Sequence, residues 1–174
     1  MYSRLNQLLK SLFKRKKPEH NSPMARDALR RLSGVPDDSQ TGMAIQSTEM
    51  VMDRIMEIIP SDLLNENDAT KETTVYFLTG IAIGYCHKYE VTNSEDVRAV
   101  VRCAMRSWIK NPAGADYLAD DLGSYLQDEL FSGPVIDSAG SAVLAPNTGP
   151  DEIILNFSRC LQKWRTFDVA SHSI

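Results

Sequence analysis

The residues whose types and spacing are best suited to chemistry are three arginines and a set of carboxylates. Arg98, Arg102 and Arg106 recur every fourth residue, which on a helix puts three guanidinium groups on one face. Guanidinium forks match carboxylates and phosphates, so this ladder is a candidate grip for an anionic partner. An internal use competes with it: Asp116, Asp120 and Asp121 follow on the next expected helix and can pair with the arginines. Asp116, Asp120 and Asp128 also share a helical side, and neighbouring carboxylates can hold a cation or act as acid and base. No companion ligands accompany them, and the three histidines are scattered. A solvated acidic face is therefore expected, with no metal site.

Cys86-His87 sets a nucleophile beside a base. Adjacent helix positions point about 100° apart, so the two cannot form a dyad with each other; a core thiol and a surface imidazole are expected. Cys86, Cys103 and Cys160 contain no CxxC pair, which reads as three ordinary thiols in a reducing compartment. There is no phosphate-cradling glycine loop, HExxH, GxSxG or zinc spacing. The expectation is a protein without catalytic residues or cofactor.

The second candidate is the N-terminal segment. Residues 1–31 hold nine Lys/Arg against Glu19 and Asp27, a net of +7, while the chain as a whole carries −4; the remainder is therefore strongly acidic. Tyr2, Leu5, Leu8, Leu9, Leu12 and Phe13 recur at helical spacing and form one apolar stripe over an amphipathic helix of about 2–17. Lys10 and Lys14 lie off the stripe, and Arg15, Lys16 and Lys17 crowd the helix end, where positive charge suits the dipole. The binding residues expected of this arm are Leu5, Leu8, Leu9, Leu12 and Phe13 with Lys10, Lys14, Arg15, Lys16 and Lys17. Two partners suit such a helix: an anionic membrane surface, or a protein surface, whether another protein or the chain's own acidic body. Nucleic acid ranks below both, because phosphate binding needs no apolar stripe and base-stacking aromatics occur only at the segment's ends.

Positioning these groups requires a mainly helical chain. The organisation expected is a basic amphipathic arm over 1–33, a linker over 34–42 rich in Gly, Pro, Asp and Ser, an acidic helical domain over 43–168, and a frayed tail over 169–174. The fold class expected is all-α, a bundle of about five helices plus the arm. Helices are expected over about 43–59, 71–90, 93–110, 114–131 and 151–167. Within 71–90, Val75, Leu78, Ala82, Tyr85 and Tyr89 step by three and four, marking the central helix. Gly80 and Gly84 there should let another helix approach closely. Thr92 and Glu95 match a capping box. Residues 134–145 fit either a short β-hairpin turning at Ala139-Gly140 or an irregular loop. The longest apolar run, Val75–Tyr85, is too short to span a bilayer. The function expected is that of an adaptor or accessory protein in the cytoplasm, peripheral at the inner face of a membrane or docked on a larger assembly; a nucleic-acid-associated regulator is the alternative.

Overall fold

The computed structural model describes residues 38–59, 67–109, 111–125 and 129–171. The arm of residues 1–33, with every binding residue assigned to it, lies outside the described residues, as do residues 34–37 of the linker. Six α-helices and no strand occur among the described residues: α1 Gln40–Ile58, α2 Asp68–Lys88, α3 Ser94–Trp108, α4 Pro112–Tyr125, α5 Glu129–Leu144 and α6 Pro150–Ser171. The all-α class is as expected, with one helix more than the five anticipated for the body. The helix α1 begins inside the stretch read as linker, and α6 runs into the stretch read as tail.

Side-chain oxygens fix several helix starts. Ser39 accepts from the Gly42 N–H at 2.9 Å and Asn67 from the Thr70 N–H at 2.8 Å, each satisfying a donor that has no partner within the first turn. Asn93, rather than Thr92, caps α3, accepting from the Glu95 N–H at 2.9 Å; the capping box marked the right boundary one residue early. Pro112 and Pro150 open α4 and α6, where the missing N–H costs nothing. At the end of α2, Val91 donates to the Cys86 carbonyl and Glu90 to that of His87. This is a Schellman motif, which here forces Glu90 to φ 58°.

The helix α2 is the centre of the bundle, packing against α5, α3, α1 and α6, while α4 packs on α3. Burial on every side suits a helix that is apolar all round: Val75, Phe77, Leu78, Ile81 and Ala82 are wholly buried. The Thr74 and Thr79 hydroxyls donate to the carbonyls of Thr70 and Val75 in the same helix, so they enter the core without an orphaned donor. The Phe77 ring lies 4.6 Å from that of Phe157 on α6, and Leu118 of α4 with Val100, Ala104 and Met105 of α3 extends the same core.

The segment over 134–145 is neither hairpin nor loop. It forms the greater part of α5, and this helix makes the most extensive contact with α2. Val135, Ala139 and Val143 are buried one turn apart, a helical seam that the small residues between them disguise. A Cβ added to Gly80 would stand 2.4 Å from the Ile136 carbonyl oxygen, and one on Gly84 would stand 2.9 Å from the Val143 Cβ. The two glycines therefore admit α5 to near backbone contact, the role their spacing predicted. Pro134, Ser138, Gly140 and Ser141 are poor helix formers; tertiary packing against α2 overrides their propensity.

Candidate functional site

The arginine ladder lies on the outer side of α3, where α4 runs antiparallel to it. Arg106 sends Nε to Asp116 Oδ1 and Nη2 to Asp116 Oδ2, both at 2.7 Å, a two-pronged pair. Arg102 reaches Asp120 through Nε at 3.1 Å, with Nη2 also on Asp120 Oδ1. The helical crossing sets this register: four residues forward on α3 meet four residues back on α4. Asp116 beside it raises the Arg106 pKa, its hydrogen bond being the largest cause. Arg98, one turn earlier, is exposed and makes no ion pair among the described residues. The structure thus brings Arg102 and Arg106 to the acids and leaves Arg98 facing solvent.

Asp116 and Asp120 of α4 are engaged by these arginines, Asp128 lies outside the described residues, and among the described residues no group of three His, Cys, Asp or Glu is arranged to hold a metal. Cys86 and His87 diverge as expected. Cys86 is 2% exposed, and burial, aided by Asp96, pushes its thiol up to about 11, so at neutral pH it is a protonated core group. His87 is exposed. Burial also raises the Cys160 thiol, and Cys103 Sγ lies 3.3 Å from Glu49 Oε1 across the α3–α1 contact. On α4, Tyr117 is 54% exposed. It stands one position before Leu118, which the core takes, and Ala115 and Ala119 complete the buried side.

A second surface was not singled out by sequence. Along the outer side of α1, residues 40, 43, 46, 50, 53, 54, 57 and 58 are exposed, with Met43, Met50 and Ile58 as large apolar members. Between this face and the start of α6 lies an open groove of about 660 Å³, lined by Glu49, Met50, Asp53, Arg54, Glu57 and Asp151 together with Gln46 and Pro150. Arg54 ties its two walls, with Nε 3.2 Å from Asp151 Oδ1 and Nη1 3.1 Å from Glu57 Oε2. The lining thus holds four carboxylates and one guanidinium. Its sequence signal is an acid every fourth residue, Glu49, Asp53 and Glu57, on a helix whose other face is core. The two candidate surfaces are therefore a ladder paired at Arg102 and Arg106 and an acidic, methionine-bearing groove.

No family model, curated protein or solved structure matches the chain. Among the described residues no helix is long and apolar enough to cross a membrane.

Proposed function

We propose that this protein is a non-enzymatic adaptor that docks through the basic amphipathic segment of residues 2–17 onto an anionic membrane surface. The observation that carries the reading is the pairing of Arg102 and Arg106 with Asp120 and Asp116. The basic stripe of the acidic body is largely neutralised by its own neighbour helix, so attraction to an anionic partner falls to residues 1–31. That segment supplies an apolar stripe as well as charge, and a lipid headgroup boundary takes up both. The body would then be the cargo side of the adaptor, held at the cytoplasmic face.

Vesicle flotation of the full chain tests this. Binding is expected to anionic vesicles and to fall by about 100-fold or more on neutral ones, since each cation near an anionic surface contributes about 1 kcal/mol and Lys14, Arg15, Lys16 and Lys17 are contiguous. Leu8→Gln with Leu12→Gln should weaken it further. Equal partition to both vesicle types, or none to either, overturns the membrane reading. A nucleic-acid regulator would instead give a complex whose affinity falls steeply with salt and survives the two leucine substitutions.

A further inference from the structure

We propose that the outer face of α1, with the groove it forms against the start of α6, is the docking site for the chain's own residues 2–17. The inference borrows from the proposed function only that these residues form an amphipathic helix; it does not require a membrane. Acidic side chains outnumber basic ones in the groove lining, Glu49, Asp53, Glu57 and Asp151 beside Arg54, and Lys10, Lys14, Arg15, Lys16 and Lys17 bring the opposite sign. Attraction of this kind is strongest within a Debye length of about 8 Å, the distance a docked helix would reach.

Apolar side chains accompany the charge. Met43, Met50 and Ile58 stand 37%, 54% and 47% exposed on that same face, half of the large apolar side chains exposed among the described residues. Methionine adapts its shape to what it meets, and the stripe of Leu5, Leu8, Leu9, Leu12 and Phe13 has the width of one helix face. A basic amphipathic helix laid on an acidic face with apolar centres matches both components at once. A purely polar ligand would leave the methionines uncovered.

Geometry allows it. The described chain starts at Asp38, at the N-terminal end of α1. Residues 18–37 can span at most roughly 70 Å when extended, whereas α1 with 19 residues is about 28 Å long. The segment can therefore return along the whole of α1 without strain on the connection. Held there, its leucines and lysines would be withheld from any other surface, so docking would act as an internal cover.

Zero-length carbodiimide cross-linking of the full chain, without lipid, tests the contact directly. Cross-links from Lys10, Lys14, Lys16 and Lys17 are expected to concentrate on Asp53, Glu57 and Asp151, and to occur within one chain in a mixture of isotopically light and heavy protein. An even spread that includes Glu95 and Asp137, or links formed chiefly between chains, overturns the proposal. A second measurement is limited trypsin cleavage after Lys10 and Lys14. Combining Met50→Gln, Asp53→Asn and Glu57→Gln, all exposed positions, should speed that cleavage about ten-fold, each exposed ion pair contributing at most a factor of about five. An unchanged rate overturns it. Vesicle binding by a chain that fails both tests would remove the internal cover and leave the membrane reading standing; the converse result would do the reverse.

Discussion

Replacing Gly80 by alanine should destabilise the protein, although alanine is the better helix former. The new Cβ would lie 2.4 Å from the Ile136 carbonyl oxygen and 2.7 Å from the Ala139 Cβ. Neither atom can be moved by a rotamer change, so α5 must retreat from α2 by about 1 Å, which places the cost near the upper end of the roughly 1–3 kcal/mol typical of overpacking. Alanine regains about 1 kcal/mol of helix propensity. The net expectation is a loss of about 2 kcal/mol, which in a domain of this size lowers Tm by roughly 4–8 °C. Gly133 on α5 is the internal control, since a Cβ there meets nothing within 4 Å; Gly133→Ala should stabilise by about 0.5–1 kcal/mol. Gly84→Ala, facing the Val143 Cβ at 2.9 Å and the Gly140 Cα at 3.1 Å, should fall between the two. Urea unfolding with a shared slope measures all three. Equal stability of Gly80→Ala and Gly133→Ala would refute the close approach of α5 to α2.

The remaining predictions concern charge and conformation. Cys86, with its thiol raised from 9.0 to about 11, should resist alkylation at pH 8 relative to the same thiol in urea. Because the unfolded chain releases this proton first, the stability it contributes is present below pH 9 and is lost as pH rises towards about 11; Cys86→Ala should flatten that part of the alkaline profile in chemical denaturation. Glu90→Gly should stabilise by about 0.5–1 kcal/mol, since φ 58° is unfavourable for any residue with a Cβ, and a lower urea midpoint would show that Glu90 makes a compensating contact. A double-mutant cycle between Arg106→Ala and Asp116→Ala should give a coupling of about 0.5–1 kcal/mol, reduced by salt, given an exposure near one third for each partner. No coupling would mean that the pair in solution is open.

What could be read from the sequence depended on whether periodicity or propensity carried the signal. In α2 the steps of three and four through Val75, Leu78, Ala82 and Tyr85 identified the central helix, and Gly80 with Gly84 identified the place where a neighbour comes close. The neighbour itself carries the opposite local signal. Pro134, Gly140 and the serines around them speak against a helix locally, and the buried series Val135, Ala139 and Val143 becomes decisive only once α2 is there to receive it. Helix ends show the same division. Thr92 and Glu95 carried a cap signal, though Asn93 performs the capping. The Schellman turn at Glu90 carried none, because the glycine that usually marks it is missing. For the candidate surfaces, four-residue spacing revealed the arginine ladder, but its occupation by Asp116 and Asp120 depends on how α4 crosses α3. The acidic face of α1 is legible in the spacing of Glu49, Asp53 and Glu57, but that these acids share a groove with Asp151 depends on where α6 starts.

If residues 2–17 serve both as membrane anchor and as occupant of the α1 groove, the two contacts exclude each other, and this has a measurable consequence. Only the undocked fraction of the protein can bind a vesicle, so the apparent dissociation constant is the intrinsic one divided by that fraction. A docked form favoured about ten-fold would weaken apparent vesicle binding by about the same factor. Combining Met50→Gln, Asp53→Asn and Glu57→Gln should therefore tighten binding to anionic vesicles by up to about ten-fold, although none of the three residues lies in the anchoring segment. General electrostatics works in the same direction, because removing two negative charges from the body also lessens its repulsion from the lipid. Asp137→Asn with Glu95→Gln separates the causes: both residues are exposed and neither lines the groove. This pair alters net charge equally and leaves docking intact. If the two sets of substitutions tighten vesicle binding to the same extent, net charge alone explains the effect and the groove exerts no control over the arm.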